Sequence, residues 1–374
     1  MKKKILVIFG TRPEAVKMAP VIKELQRNPD GFDVKVCVTA QHREMLDQVL
    51  AFFELVPDFD LDLMRHNQDL YGLTSAILLG LRDIVHQYAP DIVLVHGDTT
   101  TSAVAALAAY YAKVPVGHVE AGLRTYNKYA PFPEELNRQV TGRIAGLHFA
   151  PTAFAKRNLL NENIPEQDIF VTGNTVIDAL YWARERLDRY TDGELRSLQS
   201  TIDLQKKIIL VTAHRRENLG DGIVNICNAL REIAKKDAVE IVFPVHLNPN
   251  VRTPVYDLLD GISNIKLLSP LGYPAFTWLM IQSYVIITDS GGVQEEAPGL
   301  GKPVLVMRDV TERPEAVEAG IVKLVGTNTE RIVQETEKLI SDEVVYATMS
   351  QTTNPYGDGR SAQRIVEALR NFQS

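Results

Sequence analysis

The sequence predicts an α/β protein made of two doubly wound, parallel-sheet domains, on three observations. Short β-branched runs alternate with amphipathic segments along the whole chain. The runs are apolar at consecutive positions, as in strands covered by helices on both faces. At 374 residues the chain is long for a single core, so two domains are expected.

The first half opens with KILVIF, a helix from Pro13 to Gln26, the strand DVKVCVTA and a helix over Glu44 to Phe53. A longer helix from Leu70 to Tyr88 leads into the strand DIVLVHGD. The Ala-rich segment Thr100 to Ala112, the strand VPVGHVE and a helix from Pro133 to Arg143 follow. The second half repeats the architecture without repeating the sequence. KKIILVTAH, a helix capped by Asp221, VEIVFPVH, NIKLLSP, YVIITDSGG and KPVLVM come in that order. The charged stretch Arg184 to Gln205 carries little strand signal and sets the boundary between Phe170 and Lys206. We place a first domain at 1–170 and a second at 171–358, with the C-terminal helix 359–374 packing back on the first.

Composition is that of an ordinary soluble globular protein, 45% hydrophobic and 23% charged. A net charge of −7, with no basic block beyond Lys2-Lys3-Lys4, argues against nucleic acid as a partner. The apolar run after those lysines stops at Gly10-Thr11-Arg12, too short for a signal peptide or a membrane span. Two cysteines, Cys37 and Cys227, give neither a disulfide framework nor a metal pair and fit buried thiols in a reducing cytosol.

Doubly wound sheets carry their functional loops at the carboxyl ends of strands. Here those ends hold Gly10 to Glu14 with Lys17, His96 to Thr99, His118 to Gly122, His214 to Asn218, His246, and Ser290-Gly291-Gly292. Each has a plain alternative: Asp98 as an N-cap, Glu120 as a partner of Arg124, His96 and His118 as strand-end packing. Glu134 and Arg138 are one helical turn apart, so they are either a surface ion pair or a base with its neighbour. Collected on one cleft, the polar strand ends favour a site. Thr288 to Ala316 reads as a strand, a glycine turn and a helix start, either an ordinary strand–turn–helix of an α/β fold or a seat for a phosphate followed by the carboxylates Glu295 and Glu296. No Walker loop is present, because GLGKP lacks the spacing and the following Ser or Thr. FGTRPEA holds one glycine and is no dinucleotide fingerprint. Asp58, Asp60 and Asp62 sit in a linking stretch and read as solvated, and the scattered histidines give no zinc set, so no metal is expected.

Taken together these loops resemble the non-hydrolysing UDP-N-acetylglucosamine 2-epimerases of bacteria. FGTRPEAVKMAP, TAQHREMLDQVL, LVHGDTTTSAVAALAA, VGHVEAGLRT, PFPEELNRQ, VTGNTVIDAL, VTAHRRENLG, PVHLNPNV, DSGGVQEEAPGLGKPVLVMRD and TERPEAVEAG carry the resemblance over essentially the whole chain. It implies a GT-B type fold, with two Rossmann-like domains facing across a cleft. The implied activity is reversible C2 epimerisation of UDP-GlcNAc to UDP-ManNAc without a cofactor. The route is elimination of UDP to 2-acetamidoglucal and re-addition, and the product feeds ManNAc into cell-envelope polysaccharide. The resemblance further implies a cytoplasmic homodimer. A hydrolysing epimerase, a GT-B glycosyltransferase and a non-catalytic sugar-nucleotide sensor are the alternatives.

By the same resemblance Asp98, Glu120 and Glu134 are the catalytic carboxylates, and His214 assists departure of UDP. Arg12, Lys17, Arg138 and Arg313 contact substrate. Ser290, Gly291 and Gly292 hold the diphosphate, Glu296 takes the ribose hydroxyls and Phe276 lies near the uracil. Some bacterial members bind a second UDP-GlcNAc as activator, a role compatible with Gln41, Gln68, Arg215, Glu217 and His246. Glu44 and Asn67 stand where regulated members carry Gln and Arg. Loss of an Arg removes a bidentate phosphate partner and a Glu repels a diphosphate, so a weakened activator site is expected.

Overall fold

A computed structural model of the chain describes residues 2–40, 43–63, 68–311, 313–351 and 354–372, without the side chains of residues 43 and 44. The chain forms two compact units, Met1–Tyr181 with Tyr356–Ser374, and Trp182–Pro355.

The first unit runs β1 (Lys3–Phe9), α1 (Arg12–Gln26), β2 (Phe32–Val38), α2 (Arg43–Phe52), β3 (Phe59–Asp60), α3 (Leu70–Tyr88) and β4 (Ile92–His96). It continues through α4 (Thr100–Tyr111), β5 (Val116–Val119), α5 (Glu134–Ile144), β6 (Leu147–Ala150), α6 (Ala153–Asn161), β7 (Ile169–Val171) and α7 (Thr175–Leu187), within which the division falls. Among the described residues these strands make one parallel sheet in the order β3-β2-β1-β4-β5-β6-β7. β1 lies at its centre, with Ile5 to Phe9 fully buried, which is why the run is apolar at every position. Leu6 and Ile8 pack with Val93, Val95, and the apolar faces of α3 and α4.

The second unit holds α8 (Gly193–Thr201), β8 (Lys207–Thr212), α9 (Asp221–Ile233), β9 (Val239–Pro244), α10 (Pro249–Leu259), β10 (Ile265–Leu268), α11 (Tyr273–Gln282) and β11 (Val285–Thr288). α12 (Gly291–Gly299), β12 (Val304–Val306), α13 (Pro314–Glu318), β13 (Val322–Leu324), α14 (Thr329–Ser341) and α15 (Glu343–Ser350) complete it. Its described strands form a parallel sheet ordered β10-β9-β8-β11-β12-β13. Gly220, at φ 76°, caps α9, so Asp221 is its first helical residue and not the cap expected from sequence. The chain then returns to the first unit, where α16 (Ser361–Asn371) lies against α1. Lys3 Nζ donates to the Leu369 carbonyl at 2.7 Å, tying α16 to β1.

Cys37 and Cys227 are buried free thiols, each pushed up to about 12 by burial. No described helix is long and apolar enough to cross a membrane.

Candidate active site

In the first unit the strand order reverses between β1 and β4. Doubly wound sheets bind ligands at such reversals, and the loops leaving these two strands carry Arg12 and Asp98. After β4, Gly97 takes φ 64°, a left-handed step that suits glycine. His118 donates from Nε2 to the Gly97 carbonyl at 2.7 Å. A carbonyl can only accept, so His118 carries its proton on Nε2. Burial pushes its pKa down to about 3, and the ring is a neutral strut beneath the Asp98 loop.

Both plain alternatives for the carboxylates fail. Thr99, not Asp98, caps α4, its hydroxyl accepting from the Ser102 N–H at 3.1 Å. Arg124 forks onto Glu162 at 2.7 and 2.8 Å, leaving Glu120 to other partners. Glu120, itself at φ 62°, accepts from Lys17 Nζ and, at 3.1 Å, from Asn174 Nδ2. Its second oxygen is 3.6 Å from His96 Nε2. Burial drives His96 down to about 4 against the pull of Glu120, so a neutral imidazole faces the carboxylate.

Asp98 accepts from Arg138 Nη2 at 2.5 Å, and its backbone carbonyl accepts from Asn137 Nδ2 at 3.0 Å. Arg138 is therefore the partner of Asp98, and the Glu134–Arg138 surface pair is not formed. Glu134 opens α5, with Oε2 buried and without a hydrogen-bond partner. Burial raises the Asp98 carboxyl above the ordinary range; Arg138 opposes the rise, whereas Glu120 and Glu134 add to it. Like charges that raise one another's pKa share one field. The Asp98 side chain keeps 30% exposure, so it remains reachable from solvent.

Neither Glu14, at the end of the Gly10 to Glu14 loop, nor Asn174 has a role assigned from sequence. Glu14 is fully buried. One oxygen accepts from the Gly10 and Thr11 N–H groups at 3.0 and 2.8 Å, the other from the Thr99 and Ser102 hydroxyls at 2.7 and 3.0 Å. It thereby braces the Arg12 loop against the Asp98 loop. Thr11-x-x-Glu14 has capping-box spacing, a signal that was available. Asn174 follows β7, a strand too short to leave a pattern, and had no such signal.

The second unit repeats the logic, its order reversing between β8 and β11. The loop after β8 carries His214, and that after β11 carries Ser290, Gly291 and Gly292. Ser290 is the N-cap of α12 without a side-chain cap bond, so it leaves the first N–H groups of the helix uncapped by a hydroxyl. Gly291 lies under the Arg313 guanidinium: a Cβ there would sit 2.7 Å from Nη1. Arg313 donates from Nε to buried Glu295 at 2.7 Å. Gln294 reaches back to the Ser290 carbonyl at 3.2 Å and accepts from the Thr311 hydroxyl at 2.8 Å, fixing the loop that brings Arg313 over the glycines. Glu296 and Phe276 are both half-buried, on α12 and α11. A cationic side chain, close-approach glycines and a helix start form a seat suited to an anion.

His214 Nδ1 is 3.1 Å from Oδ1 of fully buried Asp289, and its ring stacks on His246 at 5.8 Å. Glu217 accepts from Arg308 Nε at 2.5 Å, and Arg215 Nε is buried without a partner. Gln68 precedes Asp69, the cap of α3, in the first unit. Gln41 and Asn67, and the side chain of Glu44, lie outside what the structure describes. Among the described residues no group of three or more His, Cys, Asp or Glu is placed to hold a metal ion.

A family model described as UDP-N-acetylglucosamine 2-epimerase matches residues 23–370. The chain is 57% identical to the UDP-N-acetylglucosamine 2-epimerase of Yersinia pestis, over 99% of both chains. It is 56% identical to that of Escherichia coli K12, over 98% of both. Among solved structures it is similar to the UDP-GlcNAc 2-epimerase of Neisseria meningitidis bound to UDP-GlcNAc, at TM-score 0.89 and 54% identity, covering 98% of this chain and 99% of that one. The Methanocaldococcus jannaschii UDP-GlcNAc 2-epimerase in complex with UDP-GlcNAc and UDP is similar at TM-score 0.79 and 34% identity, covering 98% and 99%.

Proposed function

The chain belongs to the UDP-N-acetylglucosamine 2-epimerase family, isomerases with a GT-B type fold, and we propose that it converts UDP-GlcNAc and UDP-ManNAc by eliminating and re-adding UDP. The substrate is a UDP-linked N-acetylhexosamine. Its diphosphate takes the seat of Ser290, Gly291, Gly292 and Arg313, with Glu296 on the ribose and Phe276 near the uracil. Its sugar meets Asp98, Glu120 and Glu134, with Arg12, Lys17 and Arg138 contacting substrate.

The observation that carries this reading is the carboxylate trio, in which Glu120 and Glu134 both raise the Asp98 pKa. The C2 hydrogen is not beside a carbonyl, so its removal must be coupled to loss of a leaving group. A carboxylate takes the C2 proton, the C2–H electrons form the C1=C2 bond, and the C1–O electrons leave with UDP. Re-addition forms the C1–O bond again and returns a proton to C2 on the opposite face. Asp98, whose pKa is raised, is the member of the trio best suited to exchange a proton at working pH. His214 assists the departing diphosphate. The product supplies ManNAc units for envelope polysaccharide, and the enzyme acts in the cytoplasm as a homodimer.

Cleavage at C1–O has a direct test. UDP-GlcNAc carrying ¹⁸O in the bridge between C1 and phosphorus is expected to scramble that label into the non-bridging positions of the β-phosphate during turnover. Retention of all label in the bridge, with epimerisation proceeding, would rule out elimination.

Glu44 and Asn67 bear on regulation. We expect initial rates from UDP-ManNAc to depend little on added UDP-GlcNAc, since the two residues weaken an activator site that includes Gln41, Gln68, Arg215, Glu217 and His246. Strong dependence of those rates on UDP-GlcNAc would show an intact activator site.

A further inference from the structure

We infer that Asp289 is a positioning residue for His214, holding its imidazole in the Nδ1–H tautomer so that Nε2 is the nitrogen offered to the leaving diphosphate. The inference rests on the proposed role of His214 in UDP departure. Asp289 ends β11 and directly precedes the glycine seat. Its carboxylate is fully buried. Oδ2 accepts from the His214 N–H at 2.9 Å, the Arg215 N–H at 2.8 Å and Asn218 Nδ2 at 3.1 Å. Asn218 is in turn fixed by donating to the Met307 carbonyl at 3.0 Å. Three donors on one oxygen stop the carboxylate from rotating.

The other oxygen, Oδ1, is buried without a hydrogen-bond partner, and His214 Nδ1 lies 3.1 Å from it. A buried carboxylate oxygen without a donor is costly, and an ionised carboxylate can only accept. The proton between them therefore belongs on Nδ1. Burial by itself would raise the Asp289 pKa, but the His214 contact and the backbone donors outweigh it and hold the group below the ordinary range. Asp289 is thus an anion throughout the neutral range. The His214 side chain keeps 38% exposure, so its far edge is open to a ligand.

With Nδ1–H held against the Asp289 carboxylate, the ring that has also taken a solvent proton on Nε2 is an imidazolium. That Nε2 proton passes to the diphosphate oxygen as C1–O breaks, leaving the neutral Nδ1–H ring, and returns to Nε2 as the same oxygen re-forms the bond to C1. The ring is recovered in every cycle. In Asp289→Asn the side-chain oxygen still suits the three donors. The amide N–H then faces Nδ1 and makes it an acceptor, which reverses the tautomer with little change of shape.

Histidine ¹⁵N spectra of the full chain test this, with the His214 signals identified by their loss in His214→Gln. Wild-type His214 is expected to show a protonated Nδ1 and an unprotonated Nε2 in the neutral ring. Asp289→Asn is expected to show the reverse, with turnover lowered about 100-fold or more and UDP affinity retained. An unprotonated Nδ1 in the wild type overturns the inference, and this spectrum decides even where Asp289→Asn fails to fold. Reversed tautomer with full turnover in Asp289→Asn also overturns it. An inactive His214→Gln beside a fully active Asp289→Asn sinks the inference alone. An active His214→Gln removes the role of His214 and the inference with it.

Discussion

Asp98→Asn is expected to lower turnover about 100- to 10,000-fold, the range general acid–base groups command, while leaving UDP affinity nearly unchanged. The substitution keeps the shape and an acceptor for Arg138, which donates to Asp98 at 2.5 Å, but cannot take up a proton. The pH dependence carries the same signature. Burial with Glu120 and Glu134 raises the Asp98 pKa, so its carboxylate is lost by protonation at a higher pH than an ordinary aspartate. The acidic limb of kcat/KM should therefore lie above the usual carboxylate range and disappear from the residual activity of Asp98→Asn. Near-normal turnover in the variant would remove Asp98 from the mechanism.

Glu14→Ala should have the largest effect on stability, about 3 kcal/mol or more, because two backbone N–H groups and two hydroxyls lose a buried acceptor. Glu14→Gln should be far milder. Its carbonyl oxygen can serve the Gly10 and Thr11 N–H groups, while the Thr99 and Ser102 hydroxyls can turn to accept from its amide. Urea unfolding midpoints separate the two variants. Equal losses in both would mean that the negative charge, not the acceptor pattern, secures the two loops.

Long elements were legible in sequence because burial shapes them. β1 from Ile5 to Phe9 and β4 from Ile92 to Val95 are apolar at every position, since helices cover both faces of the sheet. The α9 helix was legible too, though its cap was misplaced: Gly220, at positive φ, fills a position for which Asp221 looked suitable. β7 and β13 are three-residue edge strands with only the first residue buried, and leave too little apolar pattern to show. At the site, residue types at strand ends pointed to Asp98, Glu120, His214 and the glycine seat. What sequence could not supply was pairing. That Arg124 turns to Glu162 and leaves Glu120 to Lys17 and Asn174 depends on α6 and β7 reaching the same strand ends. Asp289 looks like any strand-end aspartate until its oxygens are traced to the backbone and ring of His214.

Incubation of the enzyme with UDP-GlcNAc in D₂O tests the central claim most directly. Proton removal at C2 coupled to reversible loss of UDP predicts deuterium at C2 in a mixture of UDP-GlcNAc and UDP-ManNAc, with no free sugar accumulating. A mixture of epimers without deuterium at C2, no C2 exchange at all, or release of free ManNAc would contradict it.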